Sequence, residues 1–96
     1  MLTGKQKRYL RSKAHHLTPL FQIGKSGLTE PILDQIDEAL EARELLKVSV
    51  LQNCEEDKTE IADTIGAFKG IEVVQTIGST IVLYRESKEK KRIQLP

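Results

Sequence analysis

The sequence predicts an α/β fold, a two-layer sandwich with three helices on a four-stranded mixed sheet in the order α-β-α-β-α-β-β. Segments with apolar residues at helical spacing alternate with short β-rich runs, which favours helices that connect strands. Each helical segment carries only one apolar stripe, so each helix should cover the sheet. The last two β-rich runs are separated by Gly78-Ser79 alone, a pair typical of a tight hairpin.

The first helix should begin after Thr3 and run to about His16. Thr3 is a residue type that accepts a hydrogen bond from the first free amides of a helix. Leu10, Ala14 and Leu17 recur at i, i+4 and i+7, so they should face the core. Basic residues fall on the neighbouring stripe and should stay exposed.

The first strand and the second helix should follow directly. Residues 20–23 form a short apolar run that indicates a buried strand. Thr29 is placed to cap a helix that reaches about Arg43, with Pro31 in the first turn, where proline is tolerated. The outer face of this helix should be acidic.

The second half of the chain should supply the third helix and the other three strands. Residues 45–51 alternate between apolar and polar types, as in a strand covered on one face. Acids at 55–57 suit the start of a helix, and Gly70 is a natural stop. Residues 71–77 and 80–85 should pair as the closing hairpin.

Composition restricts the class of protein. A chain of 96 residues is one domain, 1–96, and 39% hydrophobic with 30% charged residues is typical of a globular protein. No apolar run approaches the ~20 residues of a membrane span, and the basic N-terminus lacks a signal-peptide core. Cys54 is the only cysteine, so no internal disulfide forms. We therefore expect a cytoplasmic monomer with no membrane partner.

Charge is unevenly distributed along the chain although the net charge is only +1. Residues 1–29 hold six bases and no acid, residues 30–84 hold four bases and twelve acids, and residues 85–96 hold five bases and two acids. The tail from Glu86 is charged and should fray. If the two basic ends meet in the fold, one face is cationic, which suggests binding to a polyanion.

A glycine-framed turn, 24–27, stands between the first strand and the second helix and contains Lys25. Glycines allow a sharp turn and close approach of a ligand, and a helix start favours anions. The sequence leaves open whether this turn binds phosphate or only reverses the chain. A similar loop clamps the nucleic-acid backbone in KH domains, but there it joins two helices, so the KH fold is not supported.

Other chemistries fit the sequence poorly. The phosphate loop of nucleotide hydrolases needs a glycine five residues before the Gly-Lys pair, and Pro19 occupies that position. No nucleotide, other cofactor or metal is expected, since Cys54 stands alone and the adjacent His15 and His16 point ~100° apart on a helix. No nucleophile–base pair is visible near Ser26. We expect no catalytic residues.

Four segments in order resemble the CRM domain, the chloroplast RNA splicing and ribosome maturation family. They are Thr-Gly-Lys-Gln-Lys-Arg-Tyr-Leu-Arg at 3–11, Ile-Gly-Lys-Ser-Gly-Leu-Thr at 23–29, Glu-Leu-Leu-Lys-Val at 44–48, and Ile-Gly-Ser-Thr-Ile-Val-Leu-Tyr-Arg at 77–85. The resemblance implies a stand-alone bacterial RNA-binding domain, with a fold similar to the C-terminal domain of translation initiation factor 3. Bacterial family members associate with precursors of the large (50S) ribosomal subunit, and the family's loop glycines and lysine match Gly24, Gly27 and Lys25.

Residues and resemblance together predict a ribosome assembly factor that binds structured ribosomal RNA. The expected contacts come from the first helix, the loop and the end of the last strand: Lys5, Lys7, Arg8, Arg11, His15, Gly24, Lys25, Ser26, Gly27, Leu28 and Arg85. The amides of Ser26 to Leu28 should bind phosphate. The alternative is a protein-interaction module whose acidic second helix binds a basic ribosomal protein.

Overall fold

A computed structural model describes residues 1–96 and contains three helices and four strands. Their order is the predicted one. The bounds are α1 Gly4–Ala14, β1 Phe21–Ile23, α2 Glu30–Arg43, β2 Leu45–Val50, α3 Lys58–Gly66, β3 Glu72–Ile77 and β4 Thr80–Tyr84. No helix has the length and hydrophobicity that crossing a membrane requires.

The strands form one mixed sheet in the order β1-β2-β4-β3. Strand β1 runs parallel to β2, while β2 with β4 and β4 with β3 are antiparallel. The β3–β4 connection is the predicted hairpin, and Gly78 in it has a φ of +56°, which favours glycine. The α/β class, the mixed four-stranded sheet and the element order are therefore confirmed.

The helices lie on both faces of the sheet, which corrects the predicted two layers to three. Leu33, Ile36 and Ile61 of α2 and α3 pack with Val48 and Ile81 in the larger core. A separate core lies on the opposite face of the sheet. In it, Leu10 and Ala14 of α1 pack on the strand residues Leu45, Val74, Val82 and Tyr84. Successive strand residues point to opposite faces, so one sheet serves both cores.

Each helix begins at a side chain that caps it. Thr3 and Gln6 form a reciprocal capping box at α1, Thr29 caps α2, and Asp57 caps α3. The ends agree less well with the predictions. Helix α1 stops at Ala14, which leaves Leu17 38% exposed rather than in the core, and α3 stops at Gly66 instead of reaching Gly70.

The C-terminal tail lies against the domain, which corrects the prediction of a frayed segment. Glu44 is fully buried at a left-handed position, φ +65°, that ends α2. Its carboxylate accepts hydrogen bonds from the amides of Ser87, Arg92 and Ile93 at 2.5–2.8 Å. Burial alone would raise the pKa of Glu44, but these three amides lower it.

Glu41 holds the first turn of the same tail. The Ser87 hydroxyl donates to its carboxylate at 2.7 Å, and the Lys88 and Glu89 amides donate at 3.1 and 3.2 Å. Further along, Ile93 packs on the α1 core, and the side-chain amide of Gln6 donates to the terminal carbonyl group at 3.3 Å. The two basic ends of the chain therefore meet.

Tail docking should survive acidification to well below the usual pKa of glutamate. Hydrogen bonds from the Ser87 hydroxyl, then from the Lys88 and Glu89 amides, lower the pKa of Glu41 from 4.5 to about 2. Because the folded-state pKa is depressed, the stabilisation is fully present above about pH 4.5 and is lost as the pH falls through about 2. We expect the amide resonances of Lys88 and Glu89 to shift with a midpoint near pH 2. A midpoint near 4.5 would contradict the docked tail, and Glu41→Gln is the control that removes this titration.

Candidate nucleic-acid interface

Helix α1 carries a basic flank beside its buried stripe. Arg8, Arg11 and His15 follow one another at spacings of three and four residues, which places them on one side of the helix. Arg8 and His15 are exposed and Arg11 is half-buried. Lys7 continues the flank towards the sheet, and Lys5 lies on the outer surface. The structure thus places Lys7, Arg8, Arg11 and His15 on one side of α1, whereas Lys5 lies apart from them.

None of the six bases in residues 1–29 takes part in a salt bridge. The four ion pairs of the protein involve the N-terminus, Arg85 twice, and Lys91. The acids of α2 and α3 lie across the sheet from α1, on the side of the larger core. The six positive charges therefore remain available to an external anion.

Lys47 joins this basic surface although sequence analysis missed it. Its ammonium group donates to the carbonyl of Leu17 at 3.0 Å, which holds it beside the end of α1. Lys47, Arg11, His15 and His16 line one open depression of about 410 Å³ with no acidic side chain. Lys47 belongs to the acidic middle of the sequence, so only the β2 register places it among the other bases.

A second cationic groove runs along the other flank of α1. Lys13, Arg43 and Arg92 line it, again without an acid. Arg92 is placed there by the Glu44 contact to its amide. The docked tail therefore adds positive charge to the α1 side. The sequence predicted one cationic face on the condition that the two basic ends of the chain meet, and they do.

The glycine-framed loop is a closed turn. The amide of Gly27 donates to the carbonyl of Gly24 at 2.9 Å, and Gly27 has a φ of +70°. A Cβ on Gly27 would overlap the carboxylate of Glu56, whereas a Cβ on Gly24 would meet only ordinary contacts at 3.5 and 3.6 Å. The turn therefore favours glycine at 27 and has no such preference at 24.

Most of the predicted phosphate-binding amides already have partners inside the protein. The Leu28 amide donates to Glu56 Oε1 at 2.7 Å, and the Gly27 amide closes the turn. Both are corrections to the prediction that amides of Ser26 to Leu28 bind phosphate. The groups left in the loop are the exposed Lys25 side chain and the amide and hydroxyl of Ser26.

Arg85 is not part of the basic surface, which corrects its predicted role. Only 9% of it is exposed. Its guanidinium group pairs with Asp37 at 2.9 Å and with Glu41 at 3.2 Å, and it also donates to the Asp37 carbonyl. The charge of Arg85 is therefore neutralised by acids of α2, and its bond to the Glu86 carbonyl supports the docked tail.

The loop and the α1 flank lie at neighbouring positions on the sheet. Ile23, which precedes the loop, pairs with Val50, three residues along β2 from Lys47. Three strand residues span about 10 Å. One extended anionic ligand can therefore contact both.

Part of the acidic surface is used inside the protein. No group of three or more His, Cys, Asp or Glu side chains is placed to hold a metal ion. Of the acids on α2, Asp37 and Glu41 are occupied by Arg85 and the tail. The acidic surface that the alternative prediction needs is thus smaller than the sequence implied.

The chain is similar to proteins named for RNA binding. It is 67% identical, over the full length of both chains, to probable RNA-binding protein YqeI of Bacillus subtilis. It is 46% identical to an RNA-binding protein of Haemophilus influenzae, covering 99% of this chain and 95% of that one. A solution structure of a Staphylococcus aureus hypothetical protein, described as a candidate RNA-binding protein, matches with a TM-score of 0.82 and 61% identity over the full length of both.

The family model named CRS1/YhbY (CRM) domain matches residues 2–85. The chain belongs to this family. The match contains α1, the loop and the entire sheet, which confirms the resemblance drawn from the four sequence segments.

The two loop glycines should respond differently to substitution. Gly27→Ala introduces a Cβ at positive φ against Glu56, so we expect a loss of stability of about 1 kcal/mol or more. Gly24→Ala should leave stability within about 0.5 kcal/mol. Urea unfolding measures both. Equal losses at the two positions would contradict this account of the turn.

Proposed function

We propose that this protein binds structured RNA through the α1 side of the sheet and has no catalytic activity. The observation that carries the proposal is the set of six bases in residues 1–29 that form no salt bridge. Five of them are on α1, across the sheet from the acidic helices, and the sixth, Lys25, is in the loop before α2. Phosphate groups neutralise such a surface and release counterions when they bind. The relatives named as RNA-binding proteins support the same assignment.

Structured RNA fits this surface better than a long single strand. Successive unstacked bases need aromatic side chains to stack on. Tyr84 is only 4% exposed, Phe21 and Phe68 pack on the larger core, and Lys13 lies over the ring of Tyr9 at 5.4 Å. The four aromatic residues therefore form no exposed row, and charge is left as the main source of affinity.

The loop takes part as a point of positive charge rather than as an amide cradle. Lys25 is exposed beside a turn whose Gly27 and Leu28 amides are already used. Its ammonium group would bind one phosphate and the Ser26 amide another oxygen of the same group. Gly24, next to it, leaves room for the RNA backbone.

The more specific proposal is that the RNA is ribosomal RNA in precursors of the large subunit, which this protein binds as a cytoplasmic monomer during assembly. It is supported by the family to which the chain belongs and by the resemblance that the sequence motifs carry. A small domain with one basic side suits a transient contact on a folded RNA.

Removing two bases should weaken RNA binding and its dependence on salt. For Arg8→Gln with Lys25→Gln, we expect lower affinity for a ribosomal RNA fragment and a slope of log K against log salt that is smaller by about 2, because two phosphate contacts are lost. Fluorescence anisotropy at several salt concentrations measures this.

The matched control removes two bases outside the α1 side, Lys69→Asn after α3 and Lys88→Gln at the turn of the tail that Glu41 of α2 holds. It should leave the slope within about 0.5 of the original. Equal effects of the two double variants would show that only net charge matters and would contradict a defined surface.

Sedimentation of a cell extract tests the ribosomal proposal. The protein should migrate with particles of the large subunit or its precursors and should leave them after complete ribonuclease digestion. In-cell crosslinking would then identify the RNA segment. Migration that survives digestion would instead support binding to a ribosomal protein through α2.

A further inference from the structure

Helix α1 covers only part of its face of the sheet. It packs on Leu45, Val82 and Tyr84 and ends at Ala14. Beyond it, on the same face, the register aligns Ser49 of β2, Thr80 of β4 and Ile77 of β3. These three side chains are half-buried or exposed, so this end of the sheet is open beside the basic flank.

A β-bulge turns a hydrogen-bonding side chain towards this opening. The register between β3 and β4 shifts between Val73 and Gln75. Val73 packs on the larger core and Val74 on the α1 core, while Gln75 pairs with Val82 and also lines the depression beside α1. Without the extra residue, Gln75 would point to the same face as Val73.

Ile77 forms an apolar wall of the same depression. It is 56% exposed, more than any other large hydrophobic residue except the N-terminal Met1. The rings of His15 and His16 stand at the other side, edge to face with centroids 5.2 Å apart. A phosphate group alone would need only the cationic side chains. The additional Ile77, imidazole and Gln75 side chains therefore indicate a ligand that also has a planar ring with hydrogen-bonding groups at its edge.

We propose that this depression receives a single unpaired nucleotide that projects from the bound RNA. The base lies against Ile77 and the imidazole of His16, the Gln75 amide hydrogen-bonds its edge, and the adjoining phosphate lies between Arg11 and Lys47. Lys47 is already held in place by the Leu17 carbonyl at 3.0 Å. This inference rests on the proposed function and deepens it, since it adds a position where the protein distinguishes RNA conformations.

Two RNA hairpins test the proposal, one with an uninterrupted stem and one with a single bulged nucleotide in the same stem. The protein should bind the bulged hairpin about tenfold more tightly, as expected for one buried base. Equal affinity for the two hairpins would overturn the proposal but not the proposed function. Failure to bind either hairpin in a salt-dependent way would count against the proposed function itself.

Variants localise the effect. Ile77→Ser should abolish the preference for the bulge and leave affinity for the uninterrupted stem within twofold. Leu20→Ser, at an apolar residue that is 43% exposed and outside the depression, should retain the preference. Gln75→Ala should reduce the dependence of affinity on the identity of the bulged base. An Ile77→Ser variant that is folded, by its amide spectrum, and still prefers the bulge would contradict the assignment.

Free nucleoside monophosphates test whether the depression binds a nucleotide of the RNA or a free nucleotide. At a concentration of about 1 mM, which is comparable to the dissociation constant of a weak complex, they should produce only small shifts in the amide resonances of Gln75 and Ile77. Saturable binding of a free nucleotide without any preference for the bulged hairpin would mean that the occupant is a free nucleotide, and the proposal would be wrong.

Discussion

The separation of charge in this protein depends on the packing of α1 against the sheet face opposite α2 and α3. Leu10 and Ala14 are almost fully buried there. Burying one leucine contributes about 2 kcal/mol, which is more than an exposed ion pair usually does. Hydrophobic contacts therefore hold the five bases of α1 away from the acidic helices, and their charges are left for an external partner.

The C-terminal tail reinforces this arrangement from the other end of the chain. Glu44 occupies a left-handed position where glycine is the usual residue, and its buried carboxylate binds three amides of the tail. The contact places Arg92 beside Lys13. One buried acid thus positions part of the basic surface, while Arg85 neutralises two other acids of the same layer.

Much of the fold could be predicted because it depends on local patterns. Helical spacing of apolar residues, the caps Thr3 and Thr29 and the Gly78-Ser79 turn gave the elements and their order. The face that α1 covers could not be predicted, since a single apolar stripe fits either side of a sheet. The docked tail was missed because amides that bind a carboxylate leave no sequence pattern.

The basic surface was predictable to the same extent, while its binding of RNA stays a prediction. The bases of α1 and Lys25 were expected from charge and spacing, and none of them forms a salt bridge. Arg85 was assigned to the surface because the partners that bury it are 44 and 48 residues away. The Leu28 amide was assigned to phosphate because Glu56, which occupies it, is 28 residues away. Lys47 was missed because its neighbours in sequence are not its neighbours in space.

The most direct test of the account is the map of amide resonances that shift when a ribosomal RNA fragment is added to the ¹⁵N-labelled protein. Shifts should concentrate in α1, in Lys25 and Ser26, and in Lys47 of β2, with little change on the outer face of α2. Shifts concentrated on that outer face, at residues such as Asp34 and Glu38, would contradict the claim that the α1 side binds the RNA.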